Sequence, residues 1–249
     1  MRRILSLGLI LIGAMSAAAS SRTDHPTPAC SRVFFEADSF LVCRYDPQAD
    51  AMRLMRRGAD GRPGSLPEVA AALGAEAAHV RFAMNAGMYH PDHSPVGLYV
   101  AAGREEHPIE RAEGVGNFYM RPNGVFWTDG AGTPHVDETE AYAARLPDAA
   151  WATQSGPLLL ADGALHPAIS ANGPSRLIRN AVGIAGTKAF FVISETPVSF
   201  GRLARFFRDH LGCRDALYLY GTVSSLWSTD LARQDKRSDL GTFLVVLRR

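Results

Sequence analysis

The run Arg179–Ser225, RNAVGIAGTKAFFVISETPVSFGRLARFFRDHLGCRDALYLYGTVSS, constrains this chain more than any other. Ala181–Ala185 and Lys188–Ser194 are apolar stretches of strand length split by Gly186-Thr187, which reads as two strands around a turn. Phe200, Leu203, Ala204, Phe207 and Leu211 then recur at near-helical spacing, and Gly212 ends the helix. Ala216–Tyr220 is a short strand running into a Gly/Ser turn. The strand exits at Arg179 and Gly221 carry small and polar residues where packing would favour bulk. They mark the floor of an anion or sugar site.

The same alphabet extends along the chain. Arg32–Glu36, Phe40–Tyr45, Ala51–Arg56, Val80–Met84, Leu98–Ala101, Leu158–Leu160 and Thr242–Leu247 read as strands. Asn117–Met120 and Gly124–Thr128 flank the turn Arg121–Gly124, a hairpin signal. The last strand is apolar enough to lie inside a sheet. Ser65-Leu-Pro-Glu68 is a capping box opening a helix through Leu73, and Asp137–Glu140 begins another that Pro147 ends. Strands arrive in runs rather than alternating with helices. The expected fold is therefore α+β, a single domain of mixed sheet or sheets with about three helices.

With 249 residues, 47% hydrophobic and 20% charged, the chain can bury one sizeable core. A net charge of +1 gives no global field for nucleic acid. Arg202, Arg205, Arg208 and Asp209 read as the solvated face of their helix.

Arg2 and Arg3, the apolar run Ile4–Met15 and the small residues Ser16–Ser21 have the layout of a signal peptide over residues 1–21. The run is shorter than the ~20 residues of a spanning helix; an uncleaved anchor is the alternative. Residues 22–31 read as a flexible lead and 32–249 as the domain. The mature protein is expected to be periplasmic or secreted, with no stable membrane insertion after signal cleavage.

Export makes a disulfide available to the three cysteines. Cys30 and Cys43 flank two strand-like runs, and a hairpin there brings them together. Cys213 is then free and buried behind the helix, with no base in sight to make it a nucleophile.

Four segments share one grammar, an apolar strand followed by small residues and a polar side chain. They are Asn85-Ala-Gly87, Gln154-Ser155-Gly156, Arg179-Asn180 with Gly183, and Tyr220-Gly221 with Ser224-Ser225. Glycines admit close approach of a ligand, turn amides bind anions, and arginine offers a planar fork to phosphate or carboxylate. His90, Asp92 and His93 share one loop, but no further ligands stand at metal spacing. These histidines, with His107, His135 and His166, read as surface residues. No metal or cofactor is expected. Gln154-Ser155-Gly156-Pro157 does not match the serine-hydrolase elbow.

In this order, NAGMY (85–89), PVGL (95–98), GNF (116–118), PNGVF (122–126), QSGPLLL (154–160), RNAVG (179–183) and ALYLYGTVSSLW (216–227) resemble the phosphodiester glycosidase family, the uncovering-enzyme-like domain, in its bacterial exported branch. The resemblance covers roughly 32–247. It implies a hydrolase releasing a sugar linked through its anomeric carbon to a phosphodiester, a small molecule or a glycan. It implies that Arg179 holds phosphate, and that Asn85, Gln154, Ser155 and Ser225 orient the substrate. Gly87, Gly156, Asn180, Gly221 and Ser224 would line the pocket. The chain departs from the family at Leu219-Tyr220-Gly221, where the family carries Leu-Asp-Gly. Three readings follow: another carboxylate, Glu195 or Asp92, substitutes; the activity differs; or the protein binds sugar or phosphate without catalysis. The sugar, the alcohol and the oligomeric state are not legible.

Overall fold

In the computed structural model, which describes residues 27–56 and 64–249, the polypeptide is wound into three antiparallel sheets. The expected leader and part of the lead fall outside the described residues. The first sheet contains β1 (Cys30–Phe35), β2 (Asp38–Tyr45), β10 (Leu158–Ala161), β11 (Ala164–Leu165), β12 (Asn180–Ala185), β13 (Lys188–Ser194) and β14 (Asp215–Tyr220), in the order β1-β2-β13-β12-β14-β10-β11. The second contains β3 (Asp50–Arg56), β4 (Val80–Asn85), β15 (Leu226–Ser228), β16 (Arg233–Gln234) and β17 (Thr242–Arg248), in the order β16-β15-β4-β17-β3. The third contains β5 (Tyr99–Ala101), β6 (Arg104–His107), β7 (Gly124–Thr128), β8 (Pro134–Glu138) and β9 (Trp151–Ser155), in the order β6-β5-β9-β7-β8.

Strand alternation explains why each sheet is buried on both faces. Along β17, Leu244 and Val246 point into a central core while Phe243, Val245 and Leu247 point outward under α1 (Leu66–Leu73). In β7, Phe126 points inward, and Val125 and Trp127 pack near α2 (Thr139–Arg145). In β2, Leu41 and Cys43 point inward, and Phe40 and Val42 face α3 (Phe200–Arg205). A half-exposed strand would alternate apolar with polar. These strands read as continuous apolar runs because both faces are covered. One aromatic from each sheet meets at the centre: Phe191 lies 5.6 Å from Phe82 and 5.4 Å from Phe126, centroid to centroid.

Local chemistry sets the element ends. Ser65 accepts from the Glu68 amide, and the Glu68 carboxylate takes the Gly64 amide, so both sides of the cap are filled. After α3 the chain continues as a π-helical turn, Phe206–His210. Both Phe206 and Phe207 are thereby buried. Phe206 stacks on Phe40 at 4.1 Å, and Phe207 lies on Gly183, where an added Cβ would sit 2.4 Å from its ring. Gly183 is therefore a packing glycine and not a ligand approach. The Cys30–Cys43 disulfide ties β1 to β2, and Cys213 is buried and free.

Several expectations are corrected. β1 begins at Cys30, inside the expected lead. Asn117–Tyr119 is a 3-10 turn, so β7 pairs with β8 instead. Trp151–Ser155 is a full strand, and β15 and β16 were not legible as strands. Arg202 and Arg205 are ion-paired with Asp38 and Glu36, so they pin the helix to the β1–β2 turn. His166 is buried, not a surface residue; its Nδ1 accepts from the Ala168 amide, and burial lowers its pKa from 6.5.

Two outcomes follow. Phe191→Ala should cost about 3–5 kcal/mol, read by urea denaturation, because the cavity opens where three sheets meet. His166 stays neutral in the fold while the unfolded chain takes up a proton below its ordinary pKa of 6.5. Stability should therefore fall as pH drops below 6.5, and His166→Gln should flatten that part of the pH profile.

Candidate active site

Four strand termini converge at one end of the first sheet. β4 ends at Asn85, β9 at Ser155 and β14 at Tyr220, while β12 begins at Asn180. Asn180 Nδ2 donates to both the backbone oxygen and Oδ1 of Asn85, each at 3.0 Å. Asn85 Oδ1 also accepts from the Ser225 amide at 2.8 Å. These bonds fasten the first sheet to the second. Ser155 Oγ donates to the Leu219 carbonyl at 2.9 Å, fastening the third sheet to the first. Pairing between β12 and β14 slips at this point: Asn180 faces Tyr220, whereas Ala181 faces Tyr218. That irregularity re-aims the end of β14, as bulges beside functional sites do. Asn85 Nδ2 and Asn180 Oδ1, a donor and an acceptor, remain buried without partners among the described residues.

Beside these ends lies an open cleft of about 230 Å³, lined by Met88, Asn117, Leu177, Tyr218, Tyr220 and Gly221, with Thr222 at its edge. Gly221 is required here because a Cβ would lie 2.4 Å from the Tyr218 hydroxyl. Tyr220 packs against Tyr89 at 5.3 Å, and Tyr89 against His93 at 5.8 Å, giving the cleft an aromatic flank.

Arg179 sits behind this wall, 1% exposed. Its guanidinium carbon lies 3.8 Å over the Phe200 ring and 5.4 Å from that of Tyr218. Nε donates to the Val198 carbonyl at 2.9 Å, and Nη2 to Ser175 Oγ at 3.1 Å and its carbonyl at 3.3 Å. Nη1 has no acceptor among the described residues. No acidic side chain is among the groups that act on this cation, and burial pushes its pKa below the ordinary value. Arginine cannot shed its proton in response. Rings and carbonyls offset part of the desolvation cost, and a full countercharge is missing.

The cleft itself is uncharged among the described residues, with the phenols of Tyr218 and Tyr220 and the amide of Asn117 as its donors. Burial pushes the Tyr218 phenol up to about 12, against the opposing pull of Arg179; the side chains of Arg179 and Asn117 both act on it. Burial raises Tyr220 as well. Both phenols are hydrogen-bond donors at neutral pH, and neither is a base. No carboxylate lines the cleft among the described residues. Among the described residues, no group of three or more His, Cys, Asp or Glu is placed to hold a metal. An arrangement of one buried cation, two phenols and a primary amide suits an anion and the hydroxyls of a sugar.

The sequence model of the phosphodiester glycosidase family matches residues 78–246. The chain belongs to that family. It is 32% identical over 186 residues to YigE, an uncharacterized protein of Escherichia coli K12, with 73% of this chain and 71% of that one covered. Its fold is similar to the zebrafish N-acetylglucosamine-1-phosphodiester alpha-N-acetylglucosaminidase catalytic domain, auto-inhibited by its pro-peptide. That likeness has a TM-score of 0.62 at 14% identity, over 94% of this chain and 87% of that one. A hypothetical protein from Synechocystis matches with a TM-score of 0.56 at 15% identity, over 88% of this chain and 61% of that one. At such identities the two structural likenesses concern the fold alone.

The structure distributes the sequence-derived candidates unevenly. Asn85, Asn180, Ser155 and Ser225 form the buried fastening, and Tyr220 and Gly221 line the cleft. Ser224 Oγ donates to the Gly221 carbonyl and so caps the turn beyond β14. Gly87 and Gly156 are held by close backbone packing, on Gln154 and on Phe118 respectively. Gln154 is internal: Oε1 accepts from the Leu98 and Glu110 amides, and Nε2 donates to the Glu110 carbonyl and Thr139 Oγ1. Its four bonds leave nothing for a substrate. Glu195 is ion-paired with Arg32 at 2.6 Å and takes the Ser39 hydroxyl, which holds its pKa below the carboxylate range; it does not line the cleft. Asp92 is turned to Ser94 in its own loop. Tyr218, Asn117, Ser175 and Phe200 were not singled out. The tyrosine alternation of Leu217–Tyr220 is the signal that marks Tyr218.

Gln154→Leu should strand two amides and a carbonyl, costing about 3 kcal/mol. In a calorimetric scan that is a fall in Tm of roughly 6–12 °C.

Proposed function

We propose that this protein is an exported hydrolase that cleaves a sugar from a glycosyl phosphodiester. The observation that carries this reading is the buried Arg179 guanidinium with no acidic partner. A permanent charge buried behind Tyr218, one layer from the cleft surface, is complementary to an anion delivered by a ligand. The Tyr218 phenol, backed by Arg179, donates toward the phosphate from the cleft side. Tyr220 and the amide of Asn117 orient sugar hydroxyls.

In the reaction the anomeric C1–O bond breaks and a water oxygen bonds to C1, giving free sugar and a phosphate monoester. The departing monoester has a second pKa of about 6, so it leaves without protonation by the protein. The carbon centre passes through an oxocarbenium-like state. Arg179 and Tyr218 stabilise the charge that grows on phosphate, and the water proton is released to solvent. Donors fixed before the reaction supply this stabilisation without reorganisation.

A second reading has its own observation. Tyr220 stands where the family carries a carboxylate, and among the described residues no other carboxylate lines the cleft. On that reading the protein binds a sugar or phosphate in the periplasm without turnover.

Chromogenic sugar-1-phosphodiesters separate the two. Turnover is expected in the mature protein, with Arg179→Met losing about a hundredfold or more in kcat/KM. The same variant should keep its Tm within roughly 4 °C, because it removes an unpaired buried charge along with its hydrogen bonds. A folded, active Arg179→Met protein would remove Arg179 from this role. If the unaltered protein is inert and Tyr220→Asp gains hydrolysis, the binding reading stands.

A further inference from the structure

A second cleft includes Phe200 and Ser175, two residues that touch Arg179. The lining of this depression of about 180 Å³ includes Met120, Ile169, Pro174 and Phe200 together with Ser170, Ser175 and Ser199. Two of its walls touch the guanidinium directly: Phe200 lies 3.8 Å from the guanidinium carbon, and Ser175 takes Nη2 at 3.1 Å. Tyr218, which lines the first cleft, meets Phe200 edge to face at 4.8 Å. One ring from each cleft, Tyr218 and Phe200, thus meets the other, and the cation lies buried against both without lining either cleft. The two clefts are also bridged by one turn. Asn117 stands in the first cleft and Met120, three residues on, in the second.

The two clefts differ in chemistry. The first offers phenols and an amide. In the second, Met120, Ile169, Pro174 and Phe200 stand beside three serines, and among the described residues no charged side chain lines it. A phosphodiester has two organic arms on one anion. An anion held beside Tyr218 places one arm in each cleft.

We infer that the second cleft receives the alcohol arm of the phosphodiester and selects an apolar, alkyl-type alcohol over a polar one. This rests on the glycosyl phosphodiester reading for the identity of the first arm. The anion at Arg179 and the apolar cleft beside it stand without that identity. Arg179 Nη1, buried and without an acceptor within hydrogen-bond distance among the described residues, is the second observation that points to a ligand beside Tyr218. Burying a methylene contributes about 0.8 kcal/mol, so a few methylenes suffice for a tenfold preference.

The test uses alkyl phosphates and sugar-1-phosphodiesters with the mature, full-length protein. In isothermal titration, hexyl phosphate should bind about tenfold tighter than methyl or glyceryl phosphate. Met120→Glu and Ile169→Asp should each abolish that ratio; Met120 is only half-buried, so its variant guards against a folding defect in the other. Equal affinities for the three phosphates, or a hexyl advantage that survives both substitutions, would overturn the inference. Turnover is read separately, on diesters of one sugar carrying hexyl, methyl or glyceryl alcohols. A hexyl preference expressed in KM supports both readings. A hexyl binding advantage with no turnover of any diester keeps the second cleft and sinks the hydrolase reading. Turnover that is indifferent to the alcohol keeps the hydrolase and sinks the second cleft.

Discussion

The contact among Phe82, Phe126 and Phe191 is the point on which the rest of the structure depends. Each ring comes from a different sheet, and the first sheet could not separate from either of the others without exposing one of them. Each buried phenylalanine contributes about 1.5–3 kcal/mol by burial, and each aromatic pair about 0.5–1.5 kcal/mol beyond it. The three sheets therefore enclose one core, and each needs its own cover outside, which α1, α2 and α3 supply. That geometry leaves strand ends, not strand faces, free to build a site.

The fastening at those ends is polar, where the centre is apolar. Asn180 to Asn85, Asn85 to Ser225 and Ser155 to Leu219 are buried side-chain bonds spanning the sheets. In a low-dielectric setting such bonds are directional and costly to break, so they fix the relative position of β4, β9, β12 and β14. The cleft inherits its rigidity from them. Arg179 has the opposite effect: a cation held among rings and carbonyls with its burial incompletely compensated. Stability is lost at that position and gained at the aromatic centre.

Much of the scaffold is legible in the residues. The hairpin β12–β13, the helix from Phe200, the capping box at Ser65 and the Cys30–Cys43 bridge are each written in local patterns of period, turn and cap. Strand β9 was hidden because its buried polar residues, Thr153, Gln154 and Ser155, break the apolar run that marks a strand. The turn at Asn117–Tyr119 was read as strand because Phe118 and Tyr119 have strand composition. What overrode that composition was the tertiary demand that Phe118 reach the core and that Asn123 take its carbonyl.

The sequence by itself determined the α+β class and the family, because strand periods and ordered motifs are local properties of the chain. The tertiary structure alone decided which motif residues meet. It turned Gln154 inward and committed Glu195 to Arg32. It also set Arg179 between Phe200 and Tyr218 without a counterion. Whether a polar group is satisfied depends on partners brought from distant positions, Val198 and Ser175 for Arg179, Glu110 and Thr139 for Gln154. No spacing along the chain encodes those encounters; they exist only after three sheets have closed on one core.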